Sequence, residues 1–385
     1  MRHQNSVLHQ LLQVVPWGRF EALVDRHGAD QRVRRLSTKS QLVALLHAQL
    51  SGAQSLREIA ATLQSHKARL YHAGVIAPAR STLADANAKR PAALFAELFA
   101  EVLRCAHPGL RRQAREAVHL IDATSIRLNA LSLDWADYAA HGAALKIHVD
   151  YRASDAIPTA FTITPARIND ITQAKTMALE ADATYVFDLG YYDFSWFSAL
   201  HAAGCRFVTR LKSHTRPRVL GERSVPPGDA VRADRDVCID GRLKSVRGQR
   251  HPLSGVALRE VEVVIATGKT LRILTNDLTA PARAIADLYK TRWLVELFFR
   301  WIKQNLKITR FLAVNENAVR IQIAVALITF LLLRIAATTH APGMSLLAFA
   351  RLVRANLMQL RPLGQLAKPP TPPPPDPRQL ALQLC

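Results

Sequence analysis

The sequence has few cysteines and few aromatic residues for its length. Its 385 residues include four cysteines, at positions 105, 205, 238 and 385, and 6% aromatic residues. No two cysteines have CxxC spacing, and none is paired with histidine at the spacing of a metal site. This pattern argues against a zinc site and against a disulfide framework. We therefore expect reduced thiols and a cytoplasmic protein.

The sequence also lacks a secretory signal and a long apolar run. Its first ten residues, MRHQNSVLHQ, contain no apolar segment of the signal-peptide type. The longest apolar run, 321–333, is interrupted by Gln322 and bounded by Arg320 and Arg334. This run is too short to cross a bilayer, so we expect a buried helix and no membrane association.

Acidic residues are too few to balance the basic ones. The chain has 51 lysines and arginines against 30 aspartates and glutamates, a formal net charge of +21. A positive field of this size attracts polyanions and predicts salt-sensitive binding to nucleic acid. Membrane surfaces are also anionic, so the charge alone does not identify the partner. The length is sufficient for two or three domains.

Two aspartates each follow a short apolar run of strand type. Residues 118–121 (VHLI) lead into Asp122, and residues 184–187 (TYVF) lead into Asp188. The carboxyl ends of parallel strands meet at one edge of a sheet, so we expect these carboxylates to converge. Carboxylates brought together repel unless a cation neutralises them, and oxygen ligands suit Mg²⁺ or Mn²⁺.

A third carboxylate lies within a polar stripe on a predicted helix. Tyr289, Arg292, Glu296 and Lys303 have the spacing Y-x2-R-x3-E-x6-K, which places them within one arc of about 60° on a helical wheel. Most of the remaining helix surface is apolar, as in a buried helix. The stripe fits a site for metal and phosphate. It could also be a solvated face, with each cation in a structural ion pair with Glu296.

These motifs resemble the DDE transposases of the bacterial insertion-sequence class, IS-four family, whose signature is the Tyr-Arg-Glu-Lys helix. Further matches are "LIDATSI" around Asp122, "FDLGYYDFSWF" around Asp188 and "STLADANAKRP" at 81–91. The resemblance implies a catalytic triad of Asp122, Asp188 and Glu296, which would also hold the metal. It further implies that Tyr289, Arg292 and Lys303 contact DNA phosphates.

The same resemblance implies an α/β fold, with an RNase H-like catalytic core that carries a β-rich insertion and follows an all-α N-terminal domain. It implies two Mg²⁺ ions, for which Mn²⁺ can substitute. The expected partners are double-stranded DNA, as terminal inverted repeats and as target DNA, and a second copy of the chain in a homodimer on DNA. The expected location is the bacterial cytoplasm, at the nucleoid.

We expect the chain to be organised in five segments. They are a helical DNA-binding domain at 1–110, a first core part at 111–212, a β-rich insertion at 213–280, a second core part at 281–340, and a C-terminal helix with a proline-rich tail at 341–385. Residues 37–50 and 55–63 read as two helices around a Gly52 turn, which is the outline of a helix-turn-helix. A generic helical pair fits that pattern equally well.

Two other functions remain open at this point. An RNase H-like nuclease or resolvase without strand transfer would share the carboxylates. A catalytically silent DNA-binding derivative would need only the charge. Inverted repeats flanking the gene would separate an active transposase from both.

Overall fold

The protein folds into two compact units in a computed structural model that describes residues 5–106, 117–136, 142–226, 230–240 and 250–368. One unit comprises Met1–Ala86 together with Ile328–Cys385, and the other comprises Asn87–Leu327. This division is coarser than the five predicted segments, which stay a prediction. The proline-rich tail from residue 369 onward lies outside the described residues.

The first unit is helical. Its helices are α1 (Val7–Leu12), α2 (Trp17–Arg26), α3 (Thr38–Ser51), α4 (Leu56–Ser65), α5 (Lys67–Leu70), most of α6 (Arg80–Lys89), the second half of α13 (Glu316–His340) and α14 (Leu346–Asn356). The ends of the unit are joined by backbone hydrogen bonds, in which Val7 N donates to Gln359 O (3.0 Å) and Leu8 N donates to Leu357 O (2.9 Å). The all-helical N-terminal region is therefore as predicted.

The helix pair α3–α4 has clear local causes. The Ser37 hydroxyl accepts a hydrogen bond from Ser40 N, and the Ser55 hydroxyl accepts one from Glu58 N, so each helix begins at a serine cap. Between them, Gly52 has a φ of 81°, a left-handed conformation that favours glycine. The two predicted helices are confirmed. Their role as a DNA-binding helix-turn-helix stays a prediction.

The second unit is built on a nine-stranded sheet. The strands are β1 (Val118–Arg127), β2 (Ala144–Arg152), β3 (Ile157–Pro165), β4 (Thr184–Val186), β5 (Arg206–Arg210), β6 (Arg218–Glu222), β7 (Val231–Cys238), β8 (Leu258–Val264) and β9 (Thr270–Thr275). Their order across the sheet is β3-β2-β1-β4-β5-β9-β8-β7-β6.

Strand direction changes along this sheet. The first three strands are antiparallel, and β2 and β3 form a hairpin, whereas β4 runs parallel to β1 and β5 runs parallel to β4. The mixed α/β architecture and the expectation of an RNase H-like core are thereby confirmed.

The β-rich insertion extends the same sheet. Strand β9 pairs antiparallel with β5, and β8, β7 and β6 follow outward. All four strands lie within 213–280, the segment that the sequence predicts to be β-rich. The five residues of β6 are all exposed.

The remaining helices of this unit include α7 (Ala92–Ala106), α8 (Leu133–Ala136), α9 (Asp170–Ala174), α10 (Phe194–Ala202), α11 (Ala282–Thr291), α12 (Trp293–Asn305) and the first half of α13. The prediction of one continuous signature helix is wrong in detail, because the helix is interrupted at Arg292. Arg292 still has helical angles (φ −50°, ψ −31°). The two helices therefore keep nearly the phase of one.

Helix α13 is longer than the apolar run that predicts it. By length and composition it could cross a membrane, but 83% of its most apolar window is buried inside the structure. The expected buried helix is therefore present. The expectation that the segment is too short to span a bilayer does not hold for the whole helix.

Candidate active site

Asp122 lies within a strand, whereas the sequence suggests that it follows the end of one. Strand β1 continues for five residues beyond it, because Asp122 and the polar residues after it still pair with β2, Asp122 itself opposite Val149. The Asp122 carboxylate accepts a hydrogen bond from Ala123 N (2.8 Å). Burial raises the pKa of Asp122 to about 7; Asp188 and Glu296 act in the same direction, whereas the Ala123 N–H and Arg292 oppose it.

Asp188 follows the neighbouring strand β4. The parallel pairing places Leu120 beside Val186, so Asp122 and Asp188 are each two residues beyond the last pair. The Asp188 carboxylate caps the short 3₁₀ helix Leu189–Tyr191 by accepting a hydrogen bond from Gly190 N (2.7 Å). Beneath this turn lies a buried aromatic cluster that includes Phe187 and Phe197. The turn is therefore anchored on a rigid support.

Glu296 reaches the same region from α12, which packs on β1. Its carboxylate forms an ion pair with the Arg292 guanidinium at 2.6 Å, and both side chains are partly buried. Arg292 and Glu296 both act on the pKa of Asp122, so the three groups share one electrostatic site. The structural ion pair that we considered for Arg292 is therefore present.

Tyr289 and Lys303 lie on either side of Glu296 along the two helices. Tyr289 is buried and forms a hydrogen bond with Arg292. The charge of Asp188 also acts on the Tyr289 hydroxyl. Burial raises the pKa of Tyr289. Lys303 does not pair with Glu296; instead, its ammonium group donates to the Ser125 carbonyl oxygen of β1 (3.1 Å). Burial lowers the pKa of Lys303.

A cavity of about 400 Å³ opens beside Tyr289 and Arg292, between α11 and the β8–β9 hairpin. Trp293 lines it and is 47% exposed, and the Arg300 guanidinium lies 5.6 Å from the centre of its ring. The cavity therefore combines apolar walls with cationic side chains next to the carboxylates.

The sequence did not predict the groups behind Asp188. The Asp170 carboxylate approaches Gly190 and forms an ion pair with Lys146 (2.9 Å). Asp193, which follows Asp188 closely in sequence, instead caps α10 by accepting a hydrogen bond from Trp196 N (2.9 Å). No local pattern identifies Asp170, because its neighbours in the fold come from β2 and from the Asp188 turn.

An RNase H-like core with converging carboxylates defines a class of enzymes that act on nucleic acids. The transposase DDE domain family matches residues 113–332, more than half of the chain, and the chain belongs to that family. Residues 3–76 match a second family, a domain of unknown function (DUF4372).

Curated relatives agree with this assignment. The chain is 41% identical over 297 residues, 77% of its length and 82% of the relative, to the "Putative transposase y4zB" of Sinorhizobium fredii. It is 28% identical over 258 residues, 66% of each protein, to the "Probable transposase for insertion sequence element IS5377" of Geobacillus stearothermophilus. The protein is an insertion-sequence DDE transposase of the IS4-like class, an enzyme that acts on DNA.

One solved structure is similar over the whole of this chain and 85% of the other. It is the cryo-EM structure of the piggyBac transposase synaptic complex with hairpin DNA, with a TM-score of 0.47 and 12% sequence identity.

DDE transposases generally use divalent metal ions. The carboxylate oxygens of the site suit such an ion, and burial, which raises the pKa of Asp122, disfavours its charged form when no cation is bound. Within the described ranges, however, no three His, Cys, Asp or Glu side chains are grouped closely enough to hold a metal jointly. The Glu296 carboxylate contacts Arg292 instead.

Proposed function

We propose that this transposase cleaves DNA at the ends of its element and joins the freed 3′-hydroxyl to target DNA, using Asp122, Asp188 and Glu296. The observation that carries the proposal is the parallel pairing of β1 with β4, which sets Asp122 on one strand and Asp188 just after its neighbour, together with the packing on β1 of α12, which carries Glu296. Such a site stores negative charge that a cation can neutralise.

The three carboxylates would hold two Mg²⁺ ions, for which Mn²⁺ can substitute. When bound, the ions activate the attacking water or 3′-hydroxyl and neutralise the leaving oxygen of an in-line displacement. Asp122, fixed within a strand, and Asp188, fixed by Gly190 N, need little rearrangement to act as ligands. Glu296, whose carboxylate contacts the Arg292 guanidinium, would have to give up that contact to act as a metal ligand.

Loss of the contact with Glu296 would allow Arg292 to bind DNA. Released from Glu296, its guanidinium is free to bind a DNA phosphate, which Arg can do with two parallel hydrogen bonds. Tyr289, already hydrogen bonded to Arg292, orients that side chain or donates to the same phosphate. Lys303, held at β1 by the Ser125 carbonyl, provides another cation for the DNA backbone.

The partner is double-stranded DNA, first as the terminal inverted repeats and then as the target, bound by a homodimer at the nucleoid in the bacterial cytoplasm. The net charge of +21 supports binding to such a polyanion. Two ends must be paired for the element to move as a unit, which favours a dimer on DNA.

The test is cleavage of a duplex that carries the element's own end, with Mg²⁺ or with EDTA. Wild type should make a metal-dependent nick at the element boundary, and Glu296→Gln should lose it while still binding the duplex. Glu316→Gln is a matched control, because Glu316 forms the same type of i,i+4 ion pair with Arg320 (2.7 Å).

A second step separates the transposase reaction from simple hydrolysis. A pre-cleaved end with a free 3′-hydroxyl should be joined to supercoiled target DNA by wild type. Cleavage without joining would favour a nuclease. Retention of cleavage by Glu296→Gln would remove this residue from the catalytic set.

A further inference from the structure

A fourth carboxylate lies next to the proposed triad. Asp170 is the first residue of α9, and its Oδ2 lies 3.5 Å from the point where a Cβ on Gly190 would be. Asp188 Oδ1 lies 3.0 Å from the same point. The two carboxylates therefore border the same space, which a side chain at position 190 would fill. Asp170 places a second negative charge near Asp188.

The charge of Asp170 is balanced by one lysine. Lys146 of β2 donates to Asp170 Oδ1 (2.9 Å) and to the Ile168 carbonyl oxygen (2.9 Å). The side chains of Lys146 and Asp170 are only 16% and 27% exposed, so water screens the pair less than it screens a surface ion pair. His148 adds little charge, because burial lowers its pKa to about 4 and leaves it neutral near pH 7.

An independent observation points to the same cluster. Tyr191 is 1% exposed, and its hydroxyl has no hydrogen-bond partner within the described part of the chain. The charges of Asp122, Asp170 and Asp188 all act on that hydroxyl. His148 Nδ1, also buried and without a hydrogen bond there, lies 4.0 Å from Asp170 Oδ1.

These side chains meet at a small cavity. Tyr191, His148 and Asp170 all line a cavity of about 40 Å³ between the sheet and α9. That volume is sufficient for a water molecule, and buried polar atoms in proteins are as a rule hydrogen bonded. The walls of this cavity are mostly apolar, but Tyr191 Oη and His148 Nδ1 leave unused hydrogen-bonding capacity beside Asp170.

We infer that Asp170 is a positioning residue of the active site, which acts through Asp188 and strengthens its hold on a divalent cation, while Lys146 opposes it as a counter-ion. The inference rests on the proposed function. Groups behind metal ligands typically change metal affinity by about 10- to 100-fold when removed. Asp170 and Lys146 carry opposite charges, so their removal has opposite effects.

The experiment measures Mn²⁺ affinity by titration calorimetry on the full-length protein at pH 8, and the half-saturating Mn²⁺ concentration for cleavage. Asp170→Asn keeps the shape of the side chain and should weaken Mn²⁺ binding about tenfold. Lys146→Met removes the counter-ion and should tighten binding. Asp170→Glu restores the charge and should bind within about threefold of wild type.

The matched control is a second ion pair near the same turn. Lys175 pairs with Asp193 at 2.7 Å, but Asp193 caps α10 and is not placed against Gly190. Lys175→Met and Asp193→Asn should each change Mn²⁺ affinity by less than about threefold. Circular dichroism verifies that each variant folds.

Three outcomes overturn the inference. The first is that Asp170→Asn binds Mn²⁺ as wild type does. The second is that Asp170→Asn and Lys146→Met weaken binding equally. The third is that Asp170→Asn slows cleavage at every Mn²⁺ concentration without changing the half-saturating concentration. The last two indicate a structural role. Failure of the proposed function looks different: wild type would then bind no Mn²⁺, or Asp122→Asn would bind it as wild type does.

Discussion

The Asp122→Asn substitution should abolish cleavage and yet stabilise the metal-free protein at high pH. The pKa of Asp122 is about 7 in the folded protein, against an ordinary value of 3.8. A raised folded-state pKa contributes stability below pH 4 that is lost as the pH rises to about 7. The full difference corresponds to about 4 kcal/mol of unfolding free energy. Asparagine carries no charge and does not incur this loss.

The gain over wild type should therefore be about 4 kcal/mol at pH 8 and less than half of that at pH 5. Calorimetric or urea unfolding in EDTA at both pH values measures it, and the exposed Asp134→Asn serves as the control. The difference between the two pH values cancels any pH-independent effect of the amide. A gain of equal size at both pH values, or a loss at pH 8, would refute the assignment of a costly charge to Asp122.

Two further effects follow from the same contacts. The half-saturating Mg²⁺ concentration for cleavage should rise about tenfold for each pH unit below 7, because metal binding at Asp122 displaces a proton; a pH-independent value between pH 5.5 and 7 would contradict this. Lys303→Met should weaken DNA-end binding and reduce the slope of log affinity against log salt by about 1. Fluorescence anisotropy between about 50 and 200 mM salt measures that slope. Over this range, a protein that makes about six phosphate contacts loses about 10³-fold in affinity.

The sequence identified the three proposed catalytic carboxylates because each is part of a recognisable local pattern. Asp122 and Asp188 follow apolar strand runs, and the β1–β4 pairing brings their strands side by side. The extension of β1 past Asp122 could not be predicted from apolar residues. Strand pairing uses backbone groups, and the polar residues 123–125 pair with β2 as well as apolar ones would.

The helix break at Arg292 could not be predicted from the sequence, for a different reason. A break in a helix is visible in the sequence only if it shifts the phase of the apolar repeat. Arg292 keeps helical angles and shifts that phase very little. The hydrogen bonds Arg292 N to Tyr289 O (3.2 Å) and Val295 N to Arg292 O (3.3 Å) carry the chain through a tighter turn. The polar stripe of Tyr289, Arg292, Glu296 and Lys303 therefore stays on one face of the two helices. The Arg292–Glu296 ion pair forms across the break.

Asp170 could not have been found from spacing at all. Asp170 begins helix α9, whereas its neighbours are Lys146, on strand β2, and Gly190, in the turn after β4. Neither lies at a helical or strand repeat from Asp170, so their proximity is a product of tertiary folding. The absence of a Cβ at Gly190 is the local feature that permits it.

The carboxylates of the site differ in how the protein compensates them. Glu296 has Arg292 and Asp170 has Lys146, whereas in the described part Asp122 has one backbone N–H and no contacting cation. Removing a carboxylate with a cationic partner leaves that cation partly buried and unpaired, which costs stability. Removing the charge at Asp122 leaves no such cation. Stability and activity should therefore change in opposite directions at Asp122 and in the same direction at Glu296, because Asp122 is the proposed metal ligand whose own charge is least compensated by the protein.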